Sequence, residues 1–469
     1  MMPMYLYPLN ILFASLFVLL CSSVAHMLHK NRKVSFAINL LALAALIISS
    51  LLLLNAGTLS VAFGFLEIYP FSTLFMAVAA SLLALAALLS YGFGTYDSFS
   101  TLLGFIAVGI FAVVAANSFI ALMLGIELVA IPTCFMIFSR EEHTAEAATK
   151  FFIMSSVAIA MIAFGIALIY PYNPFFSLTG WFAPAHWGYL PILSFILILC
   201  GLSFEAALLP FNLWIPDVYQ GSPKQMPSML SSINMTIAFA AILEILLLSF
   251  ASVWTLIAMV MVLVAAGTMI FGNLLAMKQN NVKRILAYSS IAQAGYIAVG
   301  LAANPSITAG PIIFYAVAYA FTAAGAFAIV SYLEEKGLHT LDDYSNIYSG
   351  SLFISIALTI FMLSMAGIPP LIGFVGKFIV FTSASGAAPI WLVAFAVINS
   401  FISIYYYGKI ILEMFSKKRQ RPSISLPMTI FVAVCVCLLI VIILGVYPQP
   451  LLSASYSAAN SLSALSHIP

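Results

Sequence analysis

Fourteen apolar runs, each close to the roughly twenty residues a helix needs to cross a bilayer, follow one another along this 469-residue chain. Their approximate limits are 8–28, 34–54, 69–91, 99–115, 117–138, 149–170, 190–211, 226–249, 252–275, 283–302, 310–333, 352–382, 388–414 and 424–446. The twelfth is long enough for two half-helices. Only 6% of the residues are charged, against about 25% in soluble domains. Little mass is therefore left outside the membrane, and no soluble redox or nucleotide domain fits. The cysteines Cys21, Cys134, Cys200, Cys435 and Cys437 sit in apolar runs without paired ligand spacing, which argues against a zinc or iron–sulfur site. A net charge of +2 gives no case for nucleic acid. No basic residue precedes the first apolar run, so it reads as a membrane helix and not as a cleaved signal.

The basic residues test the count independently. Lys30, Arg32 and Lys33 follow span 1, Arg140 follows span 5, and Lys224 follows span 7. Lys278, Lys283 and Arg284 flank the turn after span 9, Lys336 follows span 11, and Lys417, Lys418, Arg419 and Arg421 follow span 13. Thirteen of the 16 Lys and Arg thus fall after odd-numbered spans, and none in the loops after even-numbered ones. The positive-inside rule places those loops in the cytoplasm and both termini outside, in a multi-pass plasma-membrane protein. A miscounted span would scramble this segregation.

Three basic residues remain: Lys150, Lys377 and Lys409. Lys377 is the most constrained, because it lies in the run Gly367-Ile368-Pro369-Pro370-Leu371-Ile372-Gly373-Phe374-Val375-Gly376-Lys377. An ammonium at bilayer depth costs roughly 3 kcal/mol on insertion scales. The prolines and glycines break the helix beside it, and a break survives in lipid only where protein or a polar cavity satisfies the freed backbone. Charge beside a break points to an ion pathway. Span 7 repeats the device: Leu202-Ser203 precedes Glu205 and Pro210, as Leu363-Ser364 precedes Pro369 and Pro370. Five spans separate the two breaks, so two five-helix repeats, spans 4–8 and 9–13, run in opposite senses, as in transporters built from inverted repeats. The expected architecture is all-α and polytopic, with about fourteen transmembrane helices and discontinuous helices 7 and 12. Its parts are a three-helix segment over 1–98, a first repeat over 99–249, a second over 250–415, and a C-terminal helix and tail over 416–469.

Several stretches then resemble one family. They are Gly125-Ile126-Glu127-Leu128, Glu146-Ala147-Ala148-Thr149-Lys150-Phe151-Phe152, Leu209-Pro210-Phe211-Asn212-Leu213-Trp214-Ile215-Pro216-Asp217-Val218-Tyr219-Gln220-Gly221, Asn281-Val282-Lys283-Arg284-Ile285-Leu286-Ala287-Tyr288-Ser289, and the span 12 motif. Together, over about residues 60–415, they resemble the antiporter-like membrane subunits of respiratory complex I, most closely subunit N, which are related to Mrp-type Na+/H+ antiporters. The resemblance implies a proton-translocating subunit without a cofactor of its own. NADH, F420H2 or ferredoxin, flavin, iron–sulfur clusters and quinone would be bound by partner subunits, and the partners are the other membrane and peripheral subunits and the lipid bilayer. It further implies a span 5 Glu paired with a span 7 Lys, a central span 8 Lys and a span 12 Lys leading outward.

Glu127 and Lys377 match that pattern. Glu205 stands where the span 7 lysine is expected, Met235 where the span 8 lysine is, and Gln293 where a span 10 histidine is frequent. If the family packing holds, Glu127 and Glu205 face one another, and two close carboxylates in low dielectric share a proton or a cation. Glu146 and Lys150 lie four apart on one helix face and read as a proton-uptake element or as an interfacial ion pair. Glu244 reads first as a solvated acid near the outer end of span 8 and second as a relay element. Asp217 lies in a loop and reads as a surface or partner contact. No long amphipathic helix is expected after 446, a trait of subunit N. Two other readings stand beside the first: an Mrp-type antiporter with Na+ between the acids, and a structural spacer that no longer pumps.

Overall fold

The computed structural model describes residues 3–29, 31–54, 59–61, 65–138, 142–179, 188–251, 254–417 and 421–465; Lys30, Arg140, Lys418 and Arg419 lie outside them. In chain order the first elements are α1 (Pro3–His29), α2 (Arg32–Leu53), the strands β1 (Leu59–Val61) and β2 (Leu66–Ile68), α3 (Pro70–Gly92), α4 (Tyr96–Val114), α5 (Phe119–Ile137) and α6 (Glu142–Ile169). There follow α7 (Tyr189–Glu205), α8 (Ile215–Gly221), α9 (Met226–Met229), a π-helical turn over Leu230–Asn234, α10 (Met235–Leu248), α11 (Trp254–Met277) and α12 (Val282–Ala302). The last are α13 (Pro305–Glu335), α14 (Ile347–Gly350), α15 (Leu352–Ala366), α16 (Ile372–Ala384), α17 (Ile390–Phe415), α18 (Met428–Val446) and α19 (Gln449–Leu465).

Twelve helices among the described residues are long and apolar enough to cross a membrane, α9 to α10 counting as one. The shorter α7, and the pair α15 and α16, supply spans 7 and 12. Two limits differ from those expected. Span 6 begins at Glu142 and not near 149, because backbone hydrogen bonding carries the helix into a polar first turn that an apolar count excludes. Span 7 stops as a helix at Glu205 and not at 211.

The two breaks share one construction. Ala207 at φ 64° and Gly367 at φ 86° both turn left-handed. The amide of Leu208 donates to the Ser203 carbonyl at 2.9 Å, and that of Ile368 to the Leu363 carbonyl at 3.0 Å. This is a Schellman ending in each case. Pro210 and Pro370 each follow a cis peptide bond. Ala207 thus corresponds to Gly367 and Pro210 to Pro370, which pairs Ser203 with Leu363. The Leu-Ser match visible in the sequence is one residue out of register, and Glu205 corresponds to Met365.

The loops sort onto two faces. After even-numbered spans, β2 pairs with β1, Glu67 N donates to Ala115 O at 2.7 Å, and Phe119 N to Phe176 O at 2.8 Å. After odd-numbered spans, Val282 N donates to His339 O at 2.9 Å and Asn346 N to Glu413 O at 3.1 Å. Loops of one parity meet only if every intervening segment crosses, so these pairings support the count. The tail after 446 folds as a helix of its own: α19 is a 17-residue amphipathic helix. Its buried stripe, Leu451, Ser455, Ala458, Ala459, Leu462 and Leu465, packs on α3, α10 and α13. Small residues separate these apolar positions and hide the stripe from a hydropathy count.

A left-handed alanine is strained and a left-handed glycine is not. Gly367→Ala is therefore expected to destabilise the protein by roughly 1–2 kcal/mol, whereas Ala207→Gly is neutral or stabilising. Thermal unfolding in detergent compares the two, and equal destabilisation by both would refute the shared construction.

Candidate functional site

Lys377 lies in the second turn of α16 with 4% of its surface exposed. Its ammonium donates to Met365 O at 2.8 Å, Ala366 O at 3.4 Å and Ser400 Oγ at 2.9 Å. An ammonium has three donors, so it is saturated. It also sits 4.5 Å from the centre of the Tyr296 ring. Among the described residues no carboxylate lies within 4.0 Å of it. The carbonyls it uses are those the break of α15 leaves free, and the negative end of that helix dipole favours a cation. Gly373 fits beside the break because its amide donates to Ser364 Oγ at 3.2 Å and its Cα approaches the Ser364 carbonyl.

Around Lys377 runs a buried polar cluster. Gln293 Nε2 donates to Met365 O at 2.9 Å and to the Tyr407 hydroxyl at 3.2 Å, and the Tyr315 hydroxyl donates to Gln293 Oε1. Asn273 Nδ2 bonds the Tyr296 hydroxyl at 2.9 Å, and the Tyr406 hydroxyl donates to Asn273 Oδ1 at 3.0 Å. A cavity of about 220 Å³, lined by Gly367, Phe378, Ser400 and Phe401 among others, reaches from the outer surface of α16 and α17 to Lys377.

The first repeat holds Glu205 at the last turn of α7. Asn234 Nδ2 reaches its Oε2 at 3.4 Å. Asn234, and not the neighbouring Met235, is the polar partner from span 8. It closes the π-helical turn, whose extra residue shifts the register that a straight helix implies, and such turns recur at functional sites. Glu127 is half-buried on α5, near enough for its charge to act on Glu205, without a direct hydrogen bond between them. A narrow cavity of about 20 Å³ lies beside Glu205 and Asn234, room for a single water. Tyr219 of α8 lies within electrostatic reach of both Glu205 and Tyr319, and Tyr319 of Tyr407. These three buried tyrosines lie between the two repeats, and the Tyr319 hydroxyl is buried without a hydrogen-bond partner among the described residues.

On the basic face, Lys150 Nζ pairs with Glu146 at 2.8 Å and with Asp217 at 2.9 Å, and Arg284 Nη1 with Asp217 at 2.9 Å. Asp217 is therefore the node of a charge cluster at the start of α8, outside the spans. The loop position alone does not reveal these partners. Burial opposes its charge, but the hydrogen bonds from Lys150 and Arg284 prevail and hold its carboxyl below the usual range. With 41% of its side chain exposed, the cluster organises charge more than it stabilises the fold. Two polar cavities of about 390 and 440 Å³ open here. Between them Lys283, 3% exposed, pairs with Glu334 at 2.7 Å. Sequence reading counted Lys283 with the loop cations. Its signal is the helical position after the Asn281 cap, which turns it inward.

Glu244 overturns the solvated reading. It is fully buried, and the Tyr69 hydroxyl donates to its Oε1 at 2.7 Å. Near a helix end it still lies under α3 and α19. Among the described residues no group of three or more His, Cys, Asp or Glu is placed to hold a metal ion.

Broken helices in paired repeats, a buried lysine on the carbonyls that one break frees and a buried acid at the other define a polytopic protein of the ion-translocating class. The family model described as NADH:quinone oxidoreductase/Mrp antiporter, TM matches residues 116–403, and the chain belongs to that family. It is 34% identical over 380 residues to NADH-quinone oxidoreductase subunit N of Desulforamulus reducens, covering 78% of each chain. It is 31% identical over 389 residues to F(420)H(2) dehydrogenase subunit N of Methanosarcina mazei, covering 77% of each. A chain of respiratory complex I from Thermus thermophilus superimposes with a TM-score of 0.81 at 29% identity, over 94% of this chain and 98% of that one.

Because the folded Asp217 carboxyl titrates lower than in the unfolded chain, its stabilising contribution is fully present above the ordinary carboxylate range and lost as pH falls from that range through the lowered folded value. Any stability advantage of the wild type over Asp217→Asn is expected to vanish in acid, and unfolding midpoints measured across pH would check this.

Proposed function

We propose that this chain is a membrane-arm subunit of a complex I-like quinone oxidoreductase and translocates protons across the plasma membrane, coupled to electron transport in its partners. The observation that carries this reading is Lys377, buried on the carbonyls of a broken helix. Intramembrane charges that face a polar interior mark ion pathways and proton relays. The relatives' names support the kind of assembly. The other membrane and peripheral subunits would bind NADH, F420H2 or ferredoxin, flavin, iron–sulfur clusters and quinone, and this chain would hold none of them. The basic face lies in the cytoplasm by the positive-inside rule, with both termini outside.

Protons enter through the two basic-face cavities. The side-chain amides of Gln225, which lines the larger cavity, and of Asn212 are buried without protein partners, and buried polar groups in that condition are sites for water. From there the path reaches Asn234, Glu205 and Glu127, and crosses Tyr219, Tyr319, Tyr407 and Gln293 to Lys377. A neutral Lys377 amine accepts the proton, and the resulting ammonium is held by Met365, Ala366 and Ser400. Negative charge at Glu205 and Glu127 favours that ammonium, and neutralising them favours release. A signal from a partner subunit that alters those acids therefore moves the proton on, into the cavity beside Gly367.

Redox-driven proton uptake in vesicles of the purified complex tests this. Lys377→Ala is expected to lower protons moved per electron in an assembled complex. An unchanged ratio would leave the subunit a structural spacer, and redox-independent Na+ uptake balanced by protons would favour the Mrp-type reading.

A further inference from the structure

Glu244 is a buried acid that the path to Lys377 does not use. Its Oε1 takes the Tyr69 hydroxyl, but Oε2 is buried with no partner. A polar atom left unpaired in an apolar interior costs a few kcal/mol, so this oxygen calls for a mobile proton or a water. Both ends of a route meet here. On the inner side, the cavity that touches Glu205 and Asn234 is also lined by Ile237, Ala238 and Ala241 of α10. Ile237 and Ala241 lie seven and three residues before Glu244, on its helix face. The cavity therefore ends about one turn short of the carboxyl.

On the outer side, Tyr69 caps α3 only two residues after Glu67 of β2. The Glu67 carboxyl is partly exposed and accepts Asn117 Nδ2 at 3.0 Å, and Asn117 is itself oriented by the Thr179 hydroxyl at 2.7 Å. Burial pushes Glu67 above the usual carboxylate range. Its charge reaches Tyr69. As a plain cap, Tyr69 would need only the Ser72 hydroxyl that already accepts its amide at 2.8 Å; its phenol in addition bonds Glu244, and Tyr69 itself lies two residues in sequence from the backbone of Glu67.

We propose that Glu244, Tyr69 and Glu67 form an outward exit for protons held at Glu205, separate from Lys377. The proposal rests on this subunit being proton-translocating. A proton reaching Glu244 Oε2 makes a neutral carboxyl. That carboxyl gives its proton to the Tyr69 phenol oxygen as Tyr69 passes its own proton, directly or through water, to the Glu67 carboxylate. Tyr69 gains one O–H bond and loses one, and ends neutral. Glu244 ends as a carboxylate ready for the next proton from the Glu205 side, and Glu67 releases to outside water.

The test is proton release per electron from the assembled complex in vesicles, for wild type, Tyr69→Phe, Glu244→Gln, Lys377→Ala and the Tyr69→Phe/Lys377→Ala double variant. Tyr69→Phe removes one hydroxyl from an unchanged ring, so it decides the matter even where Glu244→Gln fails to assemble. The expected result is a Tyr69→Phe loss at least half that of Lys377→Ala, with the double variant losing more than either. A wild-type ratio in Tyr69→Phe beside a lowered one in Lys377→Ala overturns the exit and leaves the pump. Wild-type ratios in every variant overturn both.

Discussion

Within a bilayer a broken helix and a buried cation each carry an unmet demand, and here each meets the other's. The Schellman bonds at the end of α15 satisfy the Leu363 and Ser364 carbonyls, which leaves those of Met365 and Ala366. Lipid offers them no donor. The Lys377 ammonium supplies it, with Gln293 Nε2 sharing Met365 O. The same carbonyls stand in for the ammonium's lost hydration, and the dipole of α15 adds attraction at its C-terminal end. Removing the lysine would strand the carbonyls, and straightening the helix would strand the lysine. The polar lining of α12 and α17 is organised around this exchange.

The first repeat uses the same backbone ending with the opposite chemistry. Glu205 stands in register with Met365, so an acid occupies the end of a helix whose dipole favours a cation. Against this stands one amide hydrogen bond from Asn234 at 3.4 Å. A lysine relay through spans 5, 7 and 8 is therefore not what this chain contains. The acids Glu127 and Glu205 lie in the first repeat and the cation Lys377 in the second; under the proposed function, charge in the two repeats acts by attraction where a chain of lysines would act by repulsion.

Much of this was legible in the chain. Fourteen runs, the parity of the basic residues and the Pro-Gly motif before Lys377 each follow from bilayer solvation, which acts on local sequence. What escaped depended on register and on contacts far apart in sequence. Asn234 was passed over for Met235 because a π-helical turn is invisible to a 3.6-residue count. Glu244 looked solvated because nothing near it in sequence reveals Tyr69, 175 residues away. Asp217 joined Lys150 and Arg284 only through folding, and α19 was hidden by its serines and alanines.

The two faces are built differently, and the difference bears on direction. On the basic face, ion pairs line open polar cavities, where water keeps salt bridges weak and side chains free to exchange partners. On the opposite face a hairpin bridges neighbouring loops and α19 lies across α3, α10 and α13. Side-chain hydrogen bonds tie that face together, as between Tyr69 and Glu244 and between Asn117 and Glu67. Under the proposed exit through Tyr69, a proton on the first side has open cavities to enter, whereas on the second it passes through a hydrogen bond between two buried side chains. Such an asymmetry lets a change in buried charge act at the closed end of that route, where a contact has to open.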